Sequence, residues 1–229
     1  METLGRMIHV LCVSAALMVA VCMFAAPVQA KPRTDSDNIT QSCGPDNATK
    51  KILIAYDTIH GSTAEVAARI GDGLCAPPFG FKVDVKWVGA VAGVEGYDGF
   101  IVASAIYKFN WLPDAQAFLE KYHGQLAAKK TAIFIDGASM SQDTDATRTA
   151  VKKSFIDPIL STYPDISPVS IGLFGGAFDL TRKNEYTLFE KVVLRILGLI
   201  LRLPDKKMAD WRNWDTINAW AVEVGDQMK

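Results

Sequence analysis

The stretch Lys51–Ala67, KILIAYDTIHGSTAEVA, constrains this chain more than any other. An apolar run, Ile52–Tyr56, leads directly into Thr58-Ile59-His60-Gly61-Ser62-Thr63, and a helical pattern starts at once. A strand, a hydroxyl- and glycine-bearing turn and a helix, in that order, build an anion pocket. Unpaired backbone N–H groups at the helix start point at the ligand, and the helix dipole favours negative charge there. Thr58, Ser62 and Thr63 add hydroxyl donors, and Gly61 permits close backbone approach. His60 can donate to the anion, shuttle a proton, or simply occupy a loop position. No lysine stands in the turn, which suits a phosphate monoester held by neutral donors. The chain has no G-x-x-x-x-G-K-[ST], and no G-x-G-x-x-G follows the strand, which argues against a P-loop or a dinucleotide fingerprint.

The first thirty residues read as a secretory signal. One Arg lies in Met1–His9, residues 10–26 are almost wholly apolar, and Val28-Gln29-Ala30 supplies a small-residue cleavage site before Lys31. An uncleaved anchor is the alternative. Val21 before Cys22 argues against lipidation, and there is no twin Arg. Residues 31–50 are polar and turn-forming and are expected to be a flexible linker. Asn38-Ile39-Thr40 and Asn47-Ala48-Thr49 match the glycosylation acceptor pattern, a short signal with no meaning in most bacteria. Without residues 1–30, two of the four cysteines remain, Cys43 and Cys75. In an oxidising compartment they are either bridged or left as two thiols. Cysteine and histidine are too few for a zinc site. Residues 51–229 suit one domain, and a net charge of −1 with no basic module gives no sign of nucleic-acid binding.

Strand and helix patterns then alternate. Ser62–Leu74 is helical, with Val66, Ala67, Ile70 and Leu74 on one face, and Pro77-Pro78-Phe79-Gly80 closes it. Phe81–Val88 alternates as a strand; Gly89–Tyr97 reads as loop. Asp98–Ser104 and Thr131–Asp136 are apolar runs typical of strands buried on both faces. Pro113–Tyr122 and Asp145–Leu160 are helical, Val169–Phe174 is a fifth strand, and Asp215–Met228 a closing helix capped by Asn213 or Asp215. The expected fold is therefore α/β, a doubly wound five-stranded parallel sheet. Ligands of such sheets sit beyond the carboxyl ends of the strands, where Thr58–Thr63, Ser104–Trp111 and Asp136–Met140 would converge. The second segment carries three aromatics, Tyr107, Phe109 and Trp111, on which a flat apolar ring could stack, unless they pack under the next helix. Lys108 is either a charge beside such a ring or a solvated cation. Asp136-Gly137-Ala138-Ser139 offers backbone amides, or is a plain turn.

An insertion, residues 177–212, precedes the last helix. Within it Tyr186–Leu203 is strongly apolar, with Lys191, Arg195 and Arg202 spaced along one side. Such a helix either lies at a membrane surface, grips a lipophilic partner or packs on its own domain.

With these segments in place, the chain resembles the flavodoxin-like domain family over residues 51–226, and in particular its menaquinone-dependent protoporphyrinogen IX dehydrogenase branch. Gly61-Ser62-Thr63 matches the Gly-x-Thr that ends the family's first loop, and Gly176-Ala177 its fifth-strand ending. The basic and aromatic insertion Arg182–Arg202 and the helix opened by Trp214 also match. The resemblance implies FMN as cofactor, with Thr58, Ile59, His60, Gly61, Ser62 and Thr63 around its phosphate. Ser104, Ala105, Ile106, Tyr107 and Lys108 would flank the isoalloxazine ring on one side, and Asp136, Gly137 and Ala138 on the other. It implies an oxidoreductase that takes hydrogens from a porphyrinogen and passes electrons to a quinone, or to another redox protein or lipophilic partner. The signal-like residues 1–30 add an exported, periplasmic address, which is unusual for that family, and the pattern of Tyr186–Leu203 adds peripheral membrane contact; no nucleic-acid partner is expected. A flavodoxin-type electron carrier and a flavin-free binding module are the alternatives. The second loop departs from the family's Ala-Ser-Ile-Arg-x-Gly: here it reads Ser104-Ala105-Ile106-Tyr107-Lys108-Phe109, without the Arg or the Gly.

Overall fold

The computed structural model describes residues 39–179, 191, 192, 195 and 208–229. The expected signal and the first part of the linker lie outside them. Of the expected helix Tyr186–Leu203, only Lys191, Val192 and Arg195 are described; each is helical, and Val192 and Arg195 are exposed. No helix among the described residues is long and apolar enough to cross a membrane.

Five strands run parallel: β2 (Lys51–Asp57), β3 (Lys82–Trp87), β4 (Gly99–Tyr107), β6 (Lys130–Gly137) and β7 (Ile171–Gly175). Their spatial order is β3-β2-β4-β6-β7, the doubly wound order whose direction switches between β2 and β4. Side-chain alternation along each strand divides the apolar residues between two faces. Ile52, Ile54, Tyr56, Val85, Ile101 and Phe134 form one face; α1 (Ser62–Cys75) and α5 (Trp214–Met228) cover it. Leu53, Ala55, Phe100, Val102, Ile133 and Ile135 form the other, covered by α2 (Pro113–Ala127) and by the segment α3 (Asp145–Val151), a π-turn (Lys152–Ile156) and α4 (Asp157–Thr162). Both faces are dry, so the strands read as near-continuous apolar runs. Pro113 opens α2, where its missing N–H costs nothing. Asn213 caps α5, its Oδ1 accepting from the amides of Asp215 and Thr216.

Two expectations need correction. The stretch expected to be linker contributes an edge strand, β1 (Gln41–Cys43), antiparallel to β3. Tyr56 Oη donates to the Ile39 carbonyl (2.7 Å), so backbone pairing and a buried hydroxyl hold the segment despite its polar composition. The second loop is also not a loop: β4 continues to Tyr107 and folds back into β5 (Asn110–Trp111), pairing Ile106 with Trp111 and Tyr107 with Asn110. Trp111 is buried and its Nε1 donates to the Phe155 carbonyl (2.8 Å), which draws the chain back onto the sheet.

The open question of the cysteines resolves as a bridge. Cys43 on β1 and Cys75 at the end of α1 are disulfide-bonded, their Cα atoms 5.9 Å apart. The bond ties the edge strand to the first helix across a sequence separation of 32. Reducing it, or replacing both residues by Ser, is expected to cost on the order of 3–4 kcal/mol by loop closure. Urea unfolding with and without reductant measures this; an unchanged midpoint would show that β1 pairing alone fixes the edge.

Candidate functional site

The carboxyl end of β2 delivers the chain to the switch point, where Asp57 and Thr58 are buried. Asp57 turns to the α2 side: its Oδ2 accepts from the Ala115 amide (3.1 Å) near the helix start, and its Oδ1 from Trp87 Nε1 (3.3 Å). Thr58 Oγ1 accepts from the Gly61 amide (3.1 Å), which curls the loop on itself. Gly61 is left-handed (φ 82°) and is the N-cap of α1. A residue with a Cβ is disfavoured there. Gly61 brings no side chain to the helix N-terminus, so that end keeps its amides and its positive dipole for an anion. Ile59 and His60 are half-buried on the loop.

The predicted hydroxyls Ser62 and Thr63 stand at the helix start, but they are directed inward. Ser62 Oγ donates to Asp136 Oδ2 (2.7 Å) and Thr63 Oγ1 to Asp136 Oδ1 (2.6 Å). Ser62 Oγ also accepts from the Ala177 amide (3.1 Å). Asp136, read from sequence as a donor of backbone amides, thus brings its carboxylate to the loop. Burial pushes that carboxyl up to about 6; the two hydroxyls and the charge of Arg212 pull against the shift without cancelling it.

The base of the insertion adds a residue that sequence reasoning missed. After β7 the chain forms β8 (Ala177–Asp179), paired antiparallel with β9 (Met208–Asp210), and Trp211 N continues the ribbon to the Gly176 carbonyl (3.0 Å). A side chain at Gly175 would run into the Trp211 backbone, so the glycine is required by close approach. Arg212 follows. It reaches Glu65 Oε2 through Nη1 (2.6 Å), meets Asp210 through Nη2 (2.7 Å) and Nε (2.9 Å), and lies over the Trp214 ring at 4.7 Å. Burial alone would lower the guanidinium's affinity for its proton, but the pairs with Asp210 and Glu65 outweigh it and raise it. The same contact holds Asp210 below the usual carboxylate range. Arg212 lies far from the loop in sequence; the only hint was its place just before the final helix.

A cleft of about 210 Å³ opens between the loop and the ribbon. His60, Ser62, Glu65, Phe178, Asp179, Met208 and Arg212 are among its walls. Of the predicted site residues, only His60 and Ser62 line it.

The predicted ring end is arranged differently. Ser104 is fully buried; its hydroxyl accepts from the Leu112 amide (2.9 Å) and donates to the Ala105 carbonyl (2.8 Å), a clasp across the base of the β4–β5 hairpin. Ala105, Ile106, Tyr107 and Lys108 are half-buried along its first arm. Ala105 pairs in register with Asp136, and Ile106 packs so closely on Gly137 that an added Cβ would stand 3.3 Å away. Gly137 and Ala138 pass from β6 into a 3₁₀ turn, Ala138–Met140, with Ala138 exposed; Ser139 Oγ there is buried and has no hydrogen-bond partner among the described residues. Lys108 (φ 48°) and Phe109 (φ 60°) form the two-residue turn. Phe109 is 66% exposed, and no group of metal-ligating side chains occurs among the described residues.

A strand order switching at a glycine-bearing loop agrees with comparison to known proteins. The sequence profile of the family described as "Flavodoxin domain" matches residues 53–202, well over half of the chain. The chain belongs to the flavodoxin domain family. No curated protein matches it in sequence. Solved structures similar to this flavodoxin-domain chain include the rubredoxin oxygen:oxidoreductase of Desulfovibrio gigas. There the overlap has 15% identity and a TM-score of 0.46, covering 79% of this chain and 36% of that one. A short-chain flavodoxin associated with a non-canonical PDU bacterial microcompartment overlaps at 13% identity and TM-score 0.49, covering 79% and 100%. The Fusobacterium nucleatum flavodoxin bound to flavin mononucleotide overlaps at 15% and 0.42, covering 79% and 100%. The chain spans about a third of the length of the first.

Two central residues with positive φ suit a hairpin turn, but Asn-Gly is the pair that adopts it at little cost, not Lys-Phe. Replacing Lys108 by Asn and Phe109 by Gly together is expected to stabilise the domain by about 1 kcal/mol. Chemical denaturation measures it, and a loss instead would show that the Phe109 ring holds the turn through its contacts.

Proposed function

We propose that the chain is an exported, FMN-binding electron-transfer protein that delivers electrons to a quinone or another lipophilic acceptor. The observation that carries the flavin part is the loop Thr58–Thr63. It leaves the strand at the switch point and opens α1 through a left-handed Gly61 with no side-chain cap. Membership of the flavodoxin domain family supports the same reading. The residues fit the group at the phosphate end through the loop amides. At the ring end the hairpin offers Tyr107, Lys108 and the exposed Phe109, and across from it stands the Gly137–Ala138 turn. Bound FMN would supply the redox chemistry. The chain's own residues would hold the phosphate, orient the ring and present its edge to a partner.

The Cys43–Cys75 bridge supports an oxidising compartment, and with it the secretory reading of residues 1–30. The apolar and basic pattern of Tyr186–Leu203 supports a lipophilic acceptor and peripheral membrane contact. Oxidation of a protoporphyrinogen is the finer reading by resemblance, and the replacement of the family's second-loop Arg and Gly weighs against it. A near-neutral net charge weighs against a soluble carrier that docks by strong charge. A flavin-free binding module is favoured by one observation: the cleft beside the loop is small and carries Glu65, Asp179 and Asp210.

The mature chain, mixed with FMN and freed of excess, is expected to retain a yellow chromophore with quenched flavin fluorescence. Once chemically reduced without oxygen, it should be reoxidised by a soluble naphthoquinone. A colourless protein sinks the flavin reading; a yellow one inert to the quinone removes only the acceptor.

A further inference from the structure

The phosphate loop has an acid under it. Asp136 stands on β6 two residues past Phe134, on the face covered by α1, and is 2% exposed. Both of its oxygens are engaged by the loop, at 2.7 Å from the Ser62 hydroxyl and 2.6 Å from that of Thr63. A hydroxyl has one proton to give. While those protons point at Asp136, neither hydroxyl can donate to a ligand on the other side of the loop. The carboxylate therefore takes the interactions that a bound phosphate would be expected to receive.

We propose that Asp136 is a built-in anion competing with a phosphate monoester for this loop, so that the monoester binds only as Asp136 takes up a proton. The inference rests on reading Thr58–Thr63 as a phosphate site. A dianion placed at the start of α1 would face a buried carboxylate through a single layer of hydroxyls, and two such anions in a poorly hydrated place cannot both stay charged. Protonation resolves the conflict. A neutral Asp136 donates one hydrogen bond to a loop hydroxyl oxygen, and that hydroxyl can then turn its own proton to the phosphate. Nothing else is broken or formed, and the proton comes from solvent.

The surrounding charges leave Asp136 in this position. Among the described residues, Arg212 is the cation acting on it, but Glu65 and Asp210 already claim that guanidinium. His60 and Asp179 line the cleft beside Ser62. The strand neighbours in register are Ala105 on β4 and Phe174 on β7, both uncharged. Asp57 caps α2 on the opposite face of the sheet. Burial sets the Asp136 carboxyl near 6, so the proton is available just below neutrality. The sign follows. Above that pH the carboxylate must be protonated on binding, and affinity falls by up to roughly tenfold per pH unit; below it Asp136 already holds the proton, and the phosphate's own protonation at about pH 6 sets what dependence remains.

The test is the affinity of FMN, and of riboflavin as the phosphate-free control, measured by flavin fluorescence from about pH 5 to about pH 8. The full mature chain and its Asp136→Asn variant are compared. For the wild type, FMN binding is expected to weaken as pH rises above about 6 while riboflavin binding does not. The variant should bind FMN at least roughly tenfold more tightly at the alkaline end and lose that slope. Calorimetry of wild-type FMN binding in buffers of different ionisation heat should show uptake approaching one proton at the alkaline end, while the phosphorus NMR shift of bound FMN shows its phosphate still a dianion; this pair of readings stands even if the variant folds poorly. Equal slopes in the two proteins, weaker binding by a folded variant at every pH, or no proton uptake would overturn the proposal while leaving the phosphate site intact. FMN bound by neither protein at any pH would remove the phosphate site and this proposal together.

Discussion

Two hydroxyls donating to one buried carboxylate organise the end of this molecule where ligands of such folds are held. Asp136 sits at the carboxyl end of β6, and Ser62 and Thr63 at the start of α1. Ser62 in turn accepts from Ala177, where the chain has left β7. Three segments distant in sequence are thus fixed at one point by short polar contacts. Hydrogen bonds to an ionised oxygen are worth about twice those between neutral groups, and a buried carboxylate without them would be costly. The same contacts that shape the loop also put negative charge behind it. The shape of the loop and the charge behind it consequently depend on the same side chain.

The base of the insertion extends this arrangement. β8 and β9 bring Arg212 to the loop from far along the chain, and Arg212 arrives already paired. A guanidinium held between Glu65 and Asp210 and laid on the Trp214 ring is rigid, largely desolvated and nearly neutralised. It fixes α1 to the segment that leads into α5. Its charge is taken up by those two carboxylates, so it does not offer the loop a free positive charge.

The parallel core was legible because both faces of the sheet are dry. Ile52–Tyr56 and Ile101–Ala103 could hardly be anything but buried strand, and the helical spacing of Val66, Ile70 and Leu74 placed α1 before any contact was known. The turn Thr58–Thr63 between β2 and α1 was legible for the same local reason, since its residues are adjacent in sequence; the inward aim of Ser62 and Thr63 was not. What escaped were long-range partnerships. β1 is polar, and only its pairing with β3 and the bridge from Cys43 make it structure. Arg212 gains meaning only through Glu65, almost the whole domain away. Asp136 was noticed, but its side chain was not. Strand parity held the clue: a residue two past Phe134 on a buried strand must point at α1, and a carboxylate there needs donors.

The two ends of the candidate site therefore owe their shapes to different causes. At the start of α1, polar groups converge because a charge must be satisfied. At the ring end, the β4–β5 hairpin is shaped by apolar packing. Trp111 is buried with its indole N–H on the Phe155 carbonyl, and the Ser104 hydroxyl clasps Leu112. Once both strands are anchored at those points, two residues remain to make the turn, and Lys108 and Phe109 are driven into a left-handed conformation that neither favours. Packing beneath the hairpin thus decides how far Phe109 projects from its tip. Changes to the core under Trp111 would alter the ring end without touching a residue that meets a ligand. The start of α1, locked by Asp136, would stay as it is.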